Sequence, residues 1–548
     1  MRRASLAKKD AINGKENYTM IKLNGILSTD SEEELETETD SDRNQDIYDF
    51  LSEAGSLIPR DRQVPKDYTN PCEKKVTRNH SSHTENSFYD AHCAKYMSFT
   101  DDNPTTYHAT SYFSELLENS GFKYMPESEK FNDMEKGGIY FTKRGGQSLV
   151  AFIIGGRWDP ENGIAAIGCH VDALTIKLKP CSIKENVEGY DLLGVAPYSG
   201  ALNHLWLDRD LGIAGTVLIR DTSSGKIETK LISSGRHAIC RIPSLAPHFG
   251  SISNIPYNKE TKMVPVMGFG TSELSASEDE KSSPMYGKHS LSLLRYIAKL
   301  AEVKLSQILQ VDLDLYDVQQ AARGGLSNEF IFAPRIDDRL CAYSAIHGLI
   351  NHSRINDLSE YDGLSIVLLA NNEEIGSATR TGAKGKLLNS VVERVLISKG
   401  FNYADLPLVF ANSIILSADV THALNPNFRE AYLKGHFPVP NKGLVLKLDA
   451  NGHVMTDSIG NIIMNEIAKK NGLTLQQFHI RNDMPSGGTI GPMLAVDTGA
   501  RVIDVGLAQL SMHSIRASAG FKEPGIGILT FGAFFRCWRA TLLEIDFN

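Results

Sequence analysis

An apolar run that ends in two adjacent glutamates constrains this chain more than any other feature. Leu364-Ser365-Ile366-Val367-Leu368-Leu369-Ala370 reads as a buried strand and leads into Asn371-Asn372-Glu373-Glu374-Ile375-Gly376-Ser377. Two carboxylates at the exit of such a strand are costly unless something holds their charge. A metal would do so, with one glutamate ligating it while its neighbour handles protons on a water. Taken alone, the same residues also read as a solvated Glu-Glu pair at the start of a loop.

Four more segments place metal-ligand residues at strand ends. Gly163-Ile164-Ala165-Ala166-Ile167-Gly168-Cys169 runs into His170-Val171-Asp172, and Phe332-Ala333-Pro334-Arg335-Ile336 runs into Asp337-Asp338-Arg339. Ser413-Ile414-Ile415-Leu416-Ser417-Ala418 runs into Asp419-Val420-Thr421-His422. Arg501-Val502-Ile503-Asp504-Val505-Gly506 leads through Leu510 to Ser511-Met512-His513. In an open α/β sheet, sites collect where strands end, so separate exits can converge. Two imidazoles and three carboxylates suit a pair of divalent metals that share one bridging carboxylate. A lone His170 or His513 reads as an ordinary core or surface histidine, but five such segments are hard to assign to accident.

Together these segments resemble the aspartyl aminopeptidase and vacuolar aminopeptidase I family of dinuclear zinc exopeptidases. The resemblance extends from about Asn103 to the C-terminus. It includes Asn103-Pro104-Thr105-Thr106-Tyr107-His108, Trp206-Leu207-Asp208-Arg209-Asp210-Leu211 and Arg241-Ile242-Pro243-Ser244-Leu245-Ala246-Pro247-His248-Phe249. Ser486-Gly487-Gly488-Thr489-Ile490-Gly491-Pro492 and Gln509-Leu510-Ser511-Met512-His513-Ser514-Ile515-Arg516 belong to the same set. The wording is closer to the fungal vacuolar aminopeptidase I branch than to the aspartyl branch. The aspartyl branch has Asp before Asn-Glu-Glu where this chain has Asn371-Asn372, a departure that leaves both glutamates intact.

The resemblance implies a role for each residue. His170 and Asp419 look like terminal ligands of one metal, Glu374 and His513 of the other, with Asp337 as the bridge. Both ions are expected to be zinc. Asp172 would orient His170 and raise its basicity. Glu373 would be the general base that takes a proton from the attacking water and passes it to the leaving amine. His248 matches a family histidine that reaches into a neighbouring subunit's site. Lys447, in Gly443-Leu444-Val445-Leu446-Lys447-Leu448, stands where the aspartyl branch also has a lysine. It could pair an acidic substrate side chain, but a surface lysine on a strand end is the favoured reading. His422 is a second candidate for substrate contact, and it also reads, like His436, as an ordinary loop histidine.

The expected fold is α/β: a central mixed sheet flanked by helices, of zinc exopeptidase type, with an inserted β-rich dimerisation domain. The expected divisions are an acidic, disordered extension over 1–85, a first catalytic part over 86–177, the inserted domain over 178–327, and a second catalytic part over 328–548. The acidic run over 30–42 has almost no apolar content, as in disordered segments. Before it lie Arg2, Arg3, Lys8, Lys9 and a short apolar patch from Tyr18 to Leu27. That stretch reads as a floppy tail or as a sorting segment, although Gly14 and Gly25 would weaken a helix through it. The first hundred residues or so are poor in core pattern. Tyr107 to Phe122 reads as helix and Ile139 to Ile154 as strands. The insertion reads as several short strands, a charged serine-rich loop from Thr271 to Pro284 and an amphipathic helix carrying Leu293, Ile297 and Leu300.

Composition narrows the alternatives. The 548 residues are 41% hydrophobic and 22% charged, with a formal net charge of −9, and no basic stripe points to nucleic acid. No apolar run reads as long enough to span a bilayer, and no signal-peptide pattern opens the chain. Seven scattered cysteines without C-x-x-C pairs fit reduced thiols. Cys169 reads as a small buried hydrophobe facing away from His170. Neither G-x-S-x-G nor H-E-x-x-H occurs, so a serine-hydrolase elbow has no support. Ser486-Gly487-Gly488-Thr489 reads as pocket wall.

The expectation is therefore a metal-dependent aminopeptidase for N-terminal neutral or apolar residues of leucine type, with an Asp/Glu-specific enzyme as the alternative. Another metallohydrolase on the same scaffold, or inactive selective-transport cargo, are the rivals. Its partners would be peptides and its own copies, as dimers assembling to a dodecamer, with a transport receptor engaged through the N-terminal extension. It would reside in the vacuole, reached from the cytoplasm, or remain cytoplasmic.

Overall fold

The computed structural model describes residues 82–132, 134–270, 275–355 and 357–545. The expectations for the N-terminal extension and for the start of the serine-rich loop lie outside the described residues. Three sheets organise the rest. The largest has nine strands, in the order Lys123–Tyr124, Ile139–Arg144, Ser148–Ile154, Leu364–Ala370, Ala165–His170, Ile414–Ala418, Arg501–Gly506, Leu444–Leu448 and Leu475–His479. It is mixed: Leu364–Ala370, Ala165–His170, Ile414–Ala418 and Arg501–Gly506 run parallel at its centre, while Ser148–Ile154 and Leu444–Leu448 pair antiparallel at either side.

Both faces of this sheet are buried, as the continuous apolar runs require. Side chains alternate between two cores along each strand. Leu149, Ala151 and Ile153 join Ile167 and Cys169 in one core, packed with Phe113, Leu349, Ile463 and Phe531 from helices. Val150, Phe152 and Ile154 point into the other, against Leu388, Val392 and Leu494. Cys169 thus faces away from the site as a buried free thiol, as expected. Cys93, Cys181, Cys240 and Cys341 are also free. Cys537, however, is disulfide-bonded, contrary to the expectation of reduced thiols.

Two further sequence readings are corrected. The helix Ser82–Asp102 carries a core stripe of Tyr89, Cys93, Tyr96 and Phe99, so core pattern begins before residue 100. Polar and charged residues fill the intervening positions and mask the spacing. The C-terminal helix Glu523–Leu543 is long and apolar enough to cross a bilayer, but most of it is buried inside the protein. It packs on the helix Ile336–Ile355 and is a core helix here.

The second sheet has seven strands, ordered Ile308–Asp317, Thr175–Ile183, Tyr190–Tyr198, Val266–Phe269, Cys240–Arg241, Asp210–Arg220 and Ile227–Ser233. Ile308–Asp317 also pairs with Asp210–Arg220, which closes the sheet on itself. Several of its strands run to nine residues or more, longer than the short strands expected. The helix Leu291–Ala301 buries Leu293, Leu294 and Ile297 in the core of this unit, with Trp206, Leu211 and Ile213. This is the inserted β-rich unit. A third sheet of five strands runs Ala322–Gly324, Phe330–Ala333, Ala517–Gly520, Ala508–Leu510 and Thr421–His422.

Candidate metal centre

Strand register brings the site residues together. Ala370 pairs with His170, and Ser417 pairs with Gly168. Two residues further on, Asp419 therefore stands level with His170, and Glu373 lies one short turn past Ala370. Asp337 and His513 arrive differently. Asp337 follows the strand Phe330–Ala333 and His513 follows Ala508–Leu510, both in the five-stranded sheet. The site is thus a meeting of two sheets, rather than a row of exits from one.

The expected ligands form two overlapping groups, His170–Asp337–Asp419 and Asp337–Glu374–His513, each with ligand atoms within 4.8 Å of one another. His170 Nε2 lies 3.2 Å from Asp337 Oδ1 and 3.7 Å from Asp419 Oδ1. His513 Nε2 lies 3.5 Å from Asp337 Oδ2 and 3.9 Å from Glu374 Oε2. Glu373 Oε2 is 4.0 Å from His170 Nε2. The Nδ1 face of His170 meets the Asp172 carbonyl oxygen at 3.1 Å and its carboxylate at 3.4 Å. A proton on Nδ1 satisfies Asp172 and leaves Nε2 as a lone-pair donor toward the carboxylates.

The electrostatics call for cations. Burial pushes the Glu373 carboxyl up to about 7 and that of Glu374 up to about 9, with the neighbouring carboxylates adding to the shift and His170 opposing it. Burial, then Asp419, drives Asp338 well above the usual carboxylate range. Burial also works against the Asp419 carboxylate, but Lys447 and His170 outweigh it and hold its pKa at about 2. Glu374 Oε1 is buried with no hydrogen-bond partner. Crowded carboxylates, two imidazoles and an orphaned buried oxygen fit divalent metal ions.

Sequence reasoning missed Asp338, although it had the Asp337-Asp338 pair in view. Asp338 is fully buried. Its Oδ2 accepts the His170 backbone N–H and its Oδ1 that of Val420, each at 3.2 Å. It therefore ties the ends of two strands together beside the candidate ligands. Nothing in a sequence distinguishes this carboxylate from its neighbour.

Lys447 is 6% exposed, which overturns its reading as a surface lysine. Its Nζ lies 3.7 Å from Asp419 Oδ2. It points inward because side chains alternate along Leu444–Leu448, whose neighbours on both sides are strands. His422 lies on the wall of the cleft that borders Asp337, Glu373, Glu374 and Asp419, beside Phe478. Ser486-Gly487-Gly488-Thr489 lines the same cleft. His248 is not brought to the centre within its own chain. It is exposed on the segment Pro247–Ser253 and lines neither cavity beside the carboxylates.

A family model described as aminopeptidase I zinc metalloprotease (M18) matches residues 99–535. The chain belongs to this family. It is 51% identical over 478 residues to vacuolar aminopeptidase 1 of Saccharomyces cerevisiae, covering 86% of this chain and 93% of that protein. It is 37% identical over 479 residues to an aspartyl aminopeptidase of Aspergillus oryzae, covering 81% and 96%. Among solved structures, the mApe1 dodecamer of Saccharomyces cerevisiae superposes with a TM-score of 0.76 at 49% identity, covering 84% of this chain and all of that one. Membership makes the chain a zinc metallo-aminopeptidase, and the expected mixed-sheet fold with an inserted β-rich unit is the one found.

Proposed function

We propose that this aminopeptidase removes neutral or apolar residues, leucine-type among them, from the N-termini of peptides. The observation that carries the reading is Lys447. The cleft beside the carboxylates is lined by Val454, Phe478, Ile480, Pro485 and Met512, and Lys447 is the one lysine or arginine among its described lining residues. Lys447 is already matched to Asp419, with burial working against its charge and Asp419 and Asp504 raising its pKa. A lysine so engaged is a poor partner for a substrate carboxylate, whereas the apolar walls suit an aliphatic side chain. The aspartyl relatives keep Asp/Glu specificity as its direct rival.

In this reading His170 and Asp419 would hold one zinc ion, Glu374 and His513 would hold the other, and Asp337 would serve both. When bound, the ions supply a polarised scissile carbonyl and a more acidic water. The protein does the rest. Glu373, whose Oε2 lies 4.0 Å from His170 Nε2, accepts a proton from the attacking water and delivers it to the leaving amine. Asp172 fixes the His170 ring. The catalytic unit is divided as 86–177 and 328–548, and the unit over 178–327 makes the dimer contact. Copies assemble into a dodecamer, as the yeast relative does, and His248 completes a neighbour's site. The protein works in the vacuole, which it reaches from the cytoplasm. An inactive cargo role finds no support in a complete donor set.

A panel of aminoacyl fluorogenic substrates on purified protein with zinc, manganese or cobalt tests the specificity. Leucyl and other apolar substrates should give the highest kcat/KM. A preference for aspartyl or glutamyl substrates would refute the apolar assignment.

A further inference from the structure

Asp172 is a junction, and one of its partners comes from the other sheet. Its Oδ1 accepts the Glu373 backbone N–H at 3.1 Å. Its Oδ2 accepts the Glu374 backbone N–H at 3.2 Å and the Tyr198 hydroxyl at 2.8 Å. Tyr198 ends the strand Tyr190–Tyr198 of the closed seven-stranded sheet, paired with Thr175 three residues beyond Asp172. The phenol oxygen in turn accepts a hydrogen bond from Asn372 Nδ2 at 2.8 Å. Asn372 Oδ1 accepts the hydroxyls of Thr379 at 2.8 Å and Thr381 at 3.1 Å. Asn372 itself is left-handed, at φ 59° and ψ 25°, a conformation Asn tolerates better than most residues. An unbroken relay of hydrogen bonds therefore runs from the 379–381 loop through Asn372 and Tyr198 to Asp172.

We propose that Tyr198 is a positioning residue for the hydrolysis, clamping Asp172 and Asn372 at once so that the Asn372–Glu374 turn presents both glutamates correctly. The backbone of that turn rests on the Asp172 carboxylate. A carboxylate on two rotatable bonds is fixed only when its remaining lone pairs are tied. Tyr198 ties one of them and, with the same oxygen, holds the Asn372 side chain. A hydroxyl of the inserted β-rich unit thus reaches the turn that carries both glutamates. This rests on the ligand role proposed for Glu374 and the proton-transfer role proposed for Glu373. Loss of an outer partner of a metal site costs about 10–100-fold in affinity or activity, and a small misplacement of a reacting group costs as much.

Tyr198→Phe keeps the ring and removes the hydroxyl. In the assembled zinc-loaded enzyme, kcat should fall about 10–100-fold while KM for an aminoacyl substrate stays within about twofold. Zinc should also be lost more readily to a chromophoric chelator. Asn372→Gly, which accepts the left-handed backbone, should give losses that do not multiply with those of Tyr198→Phe in the double variant. Wild-type kcat and zinc retention in Tyr198→Phe, or fully multiplicative losses, would overturn the proposal. If Tyr198→Phe does not fold, Asn372→Gly alone decides: a kcat loss at constant KM supports the relay and an unchanged kcat refutes it. A wild-type enzyme that neither retains zinc nor cleaves would instead refute the metal-centre reading.

Discussion

Asp337 faces two histidines with different oxygens: Oδ1 lies 3.2 Å from His170 Nε2, and Oδ2 lies 3.5 Å from His513 Nε2. His170 is buried at the end of a strand of the nine-stranded sheet, and His513 is more than half exposed on a turn beyond the five-stranded one. One carboxylate thereby joins two donor groups that no single element supplies.

Replacing Asp337 by Ala should therefore empty both positions. Zinc content by elemental analysis should fall from about two ions per chain to well below one. Full zinc content in the variant would contradict the bridge.

Glu373→Gln keeps the shape of the side chain and removes its basicity. Turnover should drop roughly 10²–10⁴-fold with zinc content and assembly unchanged. Wild-type turnover would remove Glu373 from the mechanism.

His248 is exposed and lies outside both cavities at its own chain's centre. If it acts on a neighbour, His248→Ala and Glu373→Gln chains, each inactive alone, should regain partial activity when their subunits exchange. Mixed assemblies as inactive as their parents would confine His248 to its own chain or to no role.

Glu523 is fully buried at the start of the C-terminal helix. Its Oε1 accepts the Asn441 backbone N–H at 2.6 Å, and Oε2 has no partner. Burial pushes its carboxyl up to about 8. Between the ordinary carboxylate range and pH 8 the folded chain holds a proton that the unfolded chain has released. The stabilising contribution is full at low pH and is lost as pH rises through about 8. Glu523→Gln should flatten this loss, so that its Tm relative to wild type rises by about a few degrees between pH 5 and pH 9. Parallel Tm profiles would show that Glu523 does not titrate in this range.

The five positions proposed as ligands were legible as candidates because each stands at or near the end of a short apolar run, and burial makes such endpoints chemically expensive. The helix Thr106–Asn119, the strand pair Ile139–Arg144 and Ser148–Ile154, and the helix Leu291–Ala301 were legible for the same reason, since their periodicity is local. The stripe Tyr89–Phe99 was not, because the polar residues between its positions dilute the pattern.

What the sequence by itself determined is which side chains are candidates for the chemistry: His170, Asp337, Glu373, Glu374, Asp419 and His513 stand at or just beyond the ends of apolar runs, and the family resemblance gives them their proposed roles. What only the tertiary structure decided is how they are held. Lys447 is buried against Asp419 because strands flank it on both sides. Asp338 ties two strands because its two oxygens accept the backbone N–H groups of His170 and Val420. Tyr198 reaches Asp172 because a second sheet closes beside the first. Each is a contact between segments far apart along the chain, set by strand register and sheet packing, and such contacts leave no periodic trace in the order of residues.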